Sequence, residues 1–283
     1  MNEKSENRFS FDAPVEPHDP ELYRYVSIAR GVQGFGSVGD DELAGYHRDG
    51  YLVIHDAYSA QQIAAGREGI RDLVAGKHSD FDGLQFMECV REGFDQLTLD
   101  QKLDGIRKLY SFTGVEPRLN AFVASPKLVA IAEKLLDAKP ELYQSMALLK
   151  PPAGREKPWH QDHSHFDLPL NTRVVGVWIA LDAATVENGC MRAIPGGHRL
   201  GVIEHEMNRD FQIPDGEMAR KAHEAVAIPM EPGGCLLFDS FLPHGTPINR
   251  SDRRRWAIQF HLIPEGTPRI SHEERRAVFE RKS

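Results

Sequence analysis

The chain has few cysteines, no long hydrophobic run and no excess of positive charge. Its three cysteines, Cys89, Cys190 and Cys235, are spread over 283 residues. That odd number lacks the spacing of a metal knot or a disulfide framework, so free buried thiols in a reducing compartment are expected. No stretch approaches the ~18 apolar residues of a membrane-spanning helix. Lysine and arginine number 34 against 42 aspartates and glutamates, a net charge of −8. This balance argues against nucleic acid and anionic membranes as partners, while leaving room for a local basic pocket. The opening segment MNEKSENRFSFDAPVEPHDPE is polar and acidic. It reads as neither a secretory signal nor a transit peptide, and a cytoplasmic location is expected. There is no internal repeat and no low-complexity linker. Residues 1–20 are expected to be a flexible tail and residues 21–283 one domain.

Histidine, by contrast, is plentiful, at 13 residues, and it is a common metal ligand and acid–base group. Its setting follows from the pattern along the chain. Asp40 or Asp41 can cap a helix running towards Asp49, and Tyr51-Leu52-Val53-Ile54 reads as a strand. Ser59 and Gln62 form a capping box for a helix with Ile63, Ile70, Leu73 and Val74 on one face, ended by Gly76. Ser125-Pro126 opens another apolar helix. After Pro140, short β-type runs appear at 141–150, 173–182, 188–194, 225–229, 234–239 and 254–263, punctuated by Gly and Pro. This pattern predicts a mainly β fold: helices over about 40–140 supporting a barrel over about 141–265. The polar stretch 198–223 reads as a lid or binding loop.

Four His-x-Asp triplets occur, at His47, His78, His160 and His165, so the triplet alone carries little weight. Context favours His160-Gln161-Asp162, at the entry to the β region. In extended backbone, positions i and i+2 point the same way, so His160 and Asp162 can reach one cation. A third ligand must come from a distant strand, and His244 offers it. Two histidines and a carboxylate suit non-haem iron that keeps positions open for other ligands. Zinc takes similar donors, so a zinc-dependent hydrolase stays open at this point.

Along 255–262 the alternation is clear. Trp256, Ile258, Phe260 and Leu262 form an apolar face, and Arg255, Ala257, Gln259 and His261 the other. If that second face lines the barrel, Arg255 is a buried cation in need of an anion, and its fork suits a carboxylate. If it does not, Arg253-Arg254-Arg255 is a solvated strand start. In 173–182, Gly176, Trp178 and Ala180 form a small-residue face with one large ring, either a pocket wall or core.

Together these residues resemble the phytanoyl-CoA hydroxylase (phytanoyl-CoA dioxygenase) family of Fe(II)/2-oxoglutarate oxygenases. The matching text is Lys150-Pro151-Pro152, Trp159-His160-Gln161-Asp162, and Glu187-Asn188-Gly189-Cys190-Met191-Arg192-Ala193-Ile194-Pro195-Gly196-Gly197-His198. It continues with Gly233-Gly234, His244-Gly245-Thr246, Asn249 and Arg255. The opening Tyr46-His47-Arg48-Asp49-Gly50-Tyr51-Leu52-Val53 matches too, and the likeness covers about 40–265.

The resemblance implies a double-stranded β-helix (jelly-roll, cupin-like) barrel supported by N-terminal helices. It implies Fe(II) held by His160, Asp162 and His244, with 2-oxoglutarate as co-substrate and O₂ as oxidant. The far carboxylate of 2-oxoglutarate would pair with Arg255, eleven residues (255 − 244) after the distal histidine. Thr246, Trp178, Met146 and Lys108 match positions that line the 2-oxoglutarate pocket in relatives. The implied reaction decarboxylates 2-oxoglutarate to succinate and CO₂ and hydroxylates a substrate C–H bond. Ring closure, desaturation or epimerisation are alternatives with the same oxidant. Halogenating relatives replace the carboxylate ligand with a small residue, and Asp162 speaks against that chemistry. Gly197 departs from the family, where serine or threonine is usual. Near the barrel mouth, His163, His165, Asp167, Arg192 and the loop 198–223 are candidate contacts to a small, polar substrate, such as a natural product. A non-catalytic ligand-binding jelly roll is the remaining alternative. Oligomeric state is not legible.

Overall fold

A computed structural model describes residues 18–87 and 93–280. The N-terminal tail up to residue 17 and Cys89 lie outside the described residues, whereas Cys190 and Cys235 are free and buried. No helix among the described residues is long and apolar enough to cross a membrane.

The larger sheet has eight strands in the spatial order β2 (Gly31–Gln33), β3 (Tyr51–His55), β13 (Cys235–Asp239), β8 (Val175–Ala180), β15 (Arg255–Pro264), β6 (Pro140–Lys150), β5 (Ile106–Tyr110) and β4 (Leu84–Phe86). The smaller sheet runs β1 (Ser27–Ile28), β12 (Val226–Ile228), β9 (Met191–Ala193), β14 (His244–Thr246) and β7 (Lys157–His160). Each of the six β-type runs read after Pro140 overlaps one of these strands. β13-β8-β15-β6 and β12-β9-β14-β7 are antiparallel. Together they form the cupin-like double-stranded β-helix.

The sheet extends further than the sequence pattern suggests. β4 and β5 lie inside the stretch read as a helical layer, and they prolong the large sheet beyond β6. β5 is only five residues long and mixes Arg107 and Lys108 with Ile106 and Leu109, which hides its β periodicity.

The helices cover the outer face of the large sheet. α1 (Asp40–Asp49) starts after Gly39, one residue before the expected cap. α2 (Ala60–Val74) carries the Ser59–Gln62 capping box and buries Ile63, Ile70, Leu73 and Val74. α3 (Leu99–Asp104) is short, and α4 (Pro117–Val123) and α5 (Pro126–Leu136) both open on proline. α5 buries Leu128, Ile131, Leu135 and Leu136. These side chains meet Val177, Ile179, Trp256, Ile258, Phe260 and Leu262 in one core. The alternation of β15 is thereby divided: even-numbered residues face the helices and odd-numbered ones the barrel interior. Phe122 of α4 is fully buried against Tyr58, ring centres 4.9 Å apart. Phe122→Ala is expected to cost ~3–5 kcal/mol of stability in denaturant unfolding, because the helices leave a cavity there.

The stretch 198–223 is only partly irregular. It holds the hairpin of β10 (Glu206–Met207) and β11 (Phe211–Gln212), followed by α6 (Asp215–Lys221). A last helix, α7 (His272–Phe279), follows the barrel.

Candidate active site and metal centre

β7 ends on His160, and β14 begins on His244 directly opposite it in the antiparallel register. The strand pairing places the two imidazole rings 4.3 Å apart, centre to centre. After His160 the chain turns into a 3₁₀ segment that begins at Asp162. Asp162 Oδ1 lies 3.2 Å from His160 Nε2 and 3.7 Å from His244 Nε2. All three side chains are buried, and among the described residues they form the one group of His, Cys, Asp or Glu able to hold a metal ion.

The donor set fits a metal. Each histidine uses Nδ1–H to donate to a backbone carbonyl, Pro158 O at 2.8 Å and Leu242 O at 2.9 Å. These bonds assign the tautomer and leave both Nε2 lone pairs facing Asp162. Burial, followed by repulsion from His244 and Lys157, brings His160 down to about 3. Burial also lowers His244. Burial acts to raise Asp162, but the fields of His244 and His261 and the hydrogen bond from His261 outweigh it, and the carboxyl sits well below its usual range. Two neutral imidazole nitrogens and one carboxylate oxygen are thus ready to coordinate without proton release.

The second oxygen of Asp162 is held from behind. Oδ2 accepts from Gln259 Nε2 at 3.1 Å and from His261 Nε2 at 2.8 Å. Both donors come from the interior face of β15. Such partners orient a ligand and restrict it to one oxygen. His261→Ala is expected to weaken iron affinity by about 10–100-fold, read by anaerobic metal titration, with the circular dichroism spectrum unchanged.

Farther along the same cavity lies a basic group. Arg255 is 3% exposed and stacks 5.6 Å from the Trp178 ring centre. Its Nη1 donates to Gly189 O at 2.6 Å, and its Nε is buried without a partner among the described residues. Burial lowers its pKa to about 10. Lys150, paired with Arg255 across the β6–β15 ladder, donates to Thr246 Oγ1 at 2.9 Å and to Pro247 O at 2.6 Å. Burial, then the nearby Arg255 guanidinium, pushes Lys150 well below the lysine range. Two basic side chains and a hydroxyl therefore meet in a buried corner, with no carboxylate among the described residues bonded to them.

The local sequence explains this corner. Asn188 Oδ1 accepts from Thr185 N, and its Nδ2 donates to Ala183 O, closing a turn. Gly189 follows at φ +82°, where a Cβ would lie 2.4 Å from Pro247 O. Only glycine offers its carbonyl to Arg255 in that position. Asn249 donates to Pro151 O and Arg253 O, fixing the turn that leads into Arg255.

The metal triad, Arg255, Thr246, Trp178, Met146, Lys108 and His165 all line one cavity of about 330 Å³. His165 Nε2 is buried there without a partner among the described residues. Lys108 stands on β5, two strands from Arg255, in the field of Arg107, Asp210 and Asp162. Three of the residues read as substrate contacts are not brought to the cavity. His163 bonds to Ser240 Oγ and Pro169 O and stacks on Phe241, so it secures the turn after the ligands. Asp167 faces α7, 3.3 Å from Arg275. Arg192 lies on the outer side of β9, bonded to Tyr23 O, Cys190 O and Cys190 Sγ. Its neighbour Met191 takes the inward position instead. Of the loop 198–223, Asp210 and Phe211 reach the cavity.

Lys150, Gln259 and His261 carry no assigned role in the sequence reading. Their signal was the period-two polar face of 255–261 and the register partner of Arg255. Gln161, between two ligands, points the other way. It donates to Gly201 O and Phe241 O and accepts from Ile203 N, tying the ligand turn to the start of the stretch 198–223.

A buried set of two histidines and one carboxylate inside a jelly roll defines the non-haem metal oxygenase class. The family model described as Phytanoyl-CoA dioxygenase (PhyH) matches residues 46–257. The phytanoyl-CoA dioxygenase domain-containing protein 1 of Danio rerio is 34% identical over 261 residues, 79% of this chain and 89% of that protein. The chain belongs to the phytanoyl-CoA dioxygenase family. It is an enzyme, a dioxygenase and so an oxidoreductase, and its His160, Asp162 and His244 form a set able to hold iron. Solved structures share the fold. EctD from S. alaskensis, with 2-oxoglutarate and 5-hydroxyectoine, has a TM-score of 0.66 at 23% identity, covering 89% of this chain and 83% of that one. The non-heme alpha ketoglutarate dependent carbocyclase SnoK of nogalamycin biosynthesis has a TM-score of 0.65 at 22% identity, covering 85% and 90%.

Proposed function

We propose that this chain hydroxylates a C–H bond of a small-molecule substrate, with the balance R–H + 2-oxoglutarate + O₂ → R–OH + succinate + CO₂. The observation that carries this reading is the pairing, in one cavity, of a preformed His-Asp-His donor set with a buried basic corner that has no anion of its own among the described residues. Iron with 2-oxoglutarate and dioxygen supplies the oxidising equivalents. His160, Asp162 and His244 would hold the metal. Arg255, Thr246 and Lys150 would take the far carboxylate of 2-oxoglutarate, and that anion offsets the burial of their charge. Trp178 and Met146 would wall the space between, where exclusion of water strengthens each polar contact and protects the oxidant. Phe211 and the hairpin behind it would close the mouth. A hydrolytic zinc site would leave Arg255 and Lys150 without a function.

The test is direct. The iron-loaded protein with ascorbate should convert 2-oxoglutarate to succinate at a slow uncoupled rate, and should bind 2-oxoglutarate without oxygen. Absence of anaerobic binding by calorimetry would falsify the reading.

A further inference from the structure

We infer that His205 is a positioning residue for the metal centre: its imidazole accepts a hydrogen bond from the backbone between the ligands His160 and Asp162, and so holds the turn that carries both. This rests on the metal site of the function proposed above and deepens it with a residue from outside the ligand set.

The ligand side chains are oriented one by one, His160 by Pro158 O and Asp162 by Gln259 and His261. The backbone that joins them needs a restraint of its own. The chain is still extended at Gln161, at φ −107° and ψ 128°, and enters the 3₁₀ segment at Asp162. A buried N–H at such a bend has to find an acceptor. Gln161 N–H donates to His205 Nε2 at 3.1 Å. On the other side of the ring, Nδ1 lies 2.8 Å from Ile203 O. An N–H on one side and a carbonyl on the other admit a single tautomer, with the proton on Nδ1 and a bare Nε2. His205 and Gln161 are both fully buried. Burial brings His205 down to about 4, which keeps the ring neutral and its lone pair on Gln161.

His205 is itself fixed from several directions. Its own N–H donates to Phe279 O at 2.6 Å, at the end of α7. Its ring packs 5.8 Å from the Phe279 ring and 5.2 Å from that of Phe211, centre to centre. Phe211 belongs to β11 and reaches the cavity. Just after β11, Ile213 N–H donates to Trp159 O at 2.8 Å. The segment 205–213 thus grips the ligand strand on both sides of His160, at Trp159 and at Gln161. Removing the acceptor at 205 would leave Gln161 N–H buried and unpaired, which costs more than the bond itself contributes. Rotation of that peptide would relieve the cost, and it would displace Asp162 from His160.

The experiment compares full-length wild type with His205→Phe, His205→Asn and His205→Gln. Each is titrated without oxygen with Fe(II) and with Co(II), whose visible spectrum reports coordination geometry. Phenylalanine keeps the ring packing on Phe211 and Phe279 and removes the acceptor. Asparagine keeps a donor for Ile203 O and is too short to reach Gln161. Glutamine restores an acceptor near the place of Nε2. His205→Phe and His205→Asn should bind both metals at least about tenfold more weakly, as expected for loss of a partner that orients metal ligands. Their cobalt spectra should change while far-ultraviolet circular dichroism does not. His205→Gln should return to within about threefold of wild type, because its amide oxygen takes up the Gln161 N–H. Wild-type metal affinity and cobalt spectrum in folded His205→Phe or His205→Asn overturn the inference. So does a His205→Gln defect as large as that of His205→Phe, since the loss would then follow ring packing and not the acceptor. The two readings fail separately. If metal-loaded wild type binds 2-oxoglutarate and the variants match its metal affinity, this inference falls and the proposed function stands. If metal-loaded wild type binds no 2-oxoglutarate while the variants lose metal in the order given, the proposed function falls and this inference stands.

Discussion

Asp162→Ala is expected to abolish iron binding at micromolar metal and to lower succinate formation by at least about a thousand-fold. Loss of a partner that merely orients a ligand already costs 10–100-fold, and here the ligand itself is lost. Among the described residues Asp162 is the one anion that bridges the two histidines, 3.2 and 3.7 Å from their Nε2 atoms. Without it, two neutral imidazoles would face a dication at a buried site, and the Gln259 and His261 donors would lose their acceptor. Asp162→Asn keeps the shape and removes the charge, so it separates the two contributions. It should recover structure and little metal. Anaerobic iron titration and metal analysis of the purified variants check this, and a variant that retains stoichiometric iron and turnover would remove Asp162 from the site.

Arg255→Ala should raise the KM for 2-oxoglutarate more than about a hundred-fold while leaving iron affinity nearly unchanged. Removing one partner of a buried charge pair costs ~3 kcal/mol, and each 1.4 kcal/mol is tenfold. Arg255 stands apart from the metal set: it touches no metal ligand, and among the described residues it hydrogen-bonds Gly189 O alone. Arg255→Lys keeps the charge without the planar fork and should fall between. Anaerobic calorimetry with 2-oxoglutarate measures the effect free of turnover. Equal affinity in wild type and Arg255→Ala would assign the co-substrate elsewhere.

Much of this was legible because period-two patterns act on short strands. Positions 255, 257, 259 and 261 read as one face, open by sequence to either the barrel interior or solvent, and Arg255, Gln259 and His261 line the interior cavity. The same rule, applied to Met191-Arg192-Ala193, turns Arg192 outward, and its misplacement came from a motif read without its strand. The departure at Gly197 also has a local cause: a Cβ there would meet Pro243 Cδ at 2.7 Å. His205 was a different matter. It meets Gln161, 44 positions away, and Phe279 beyond the barrel, and no local pattern encodes those contacts. β5 escaped notice because a strand of five residues with two cations resembles a helix surface.

Gln161 gives the barrel a practical limit for engineering. Its amide spans Gly201, Ile203 and Phe241 from a position between the two ligands His160 and Asp162. The metal-bearing turn and the root of the lid are therefore one mechanical part. A lid transplanted from another member of the family, with residues 198–213 exchanged alone, would arrive without its anchor and would pull on the iron site. A graft that changes substrate choice has to move the ligand turn and the lid together.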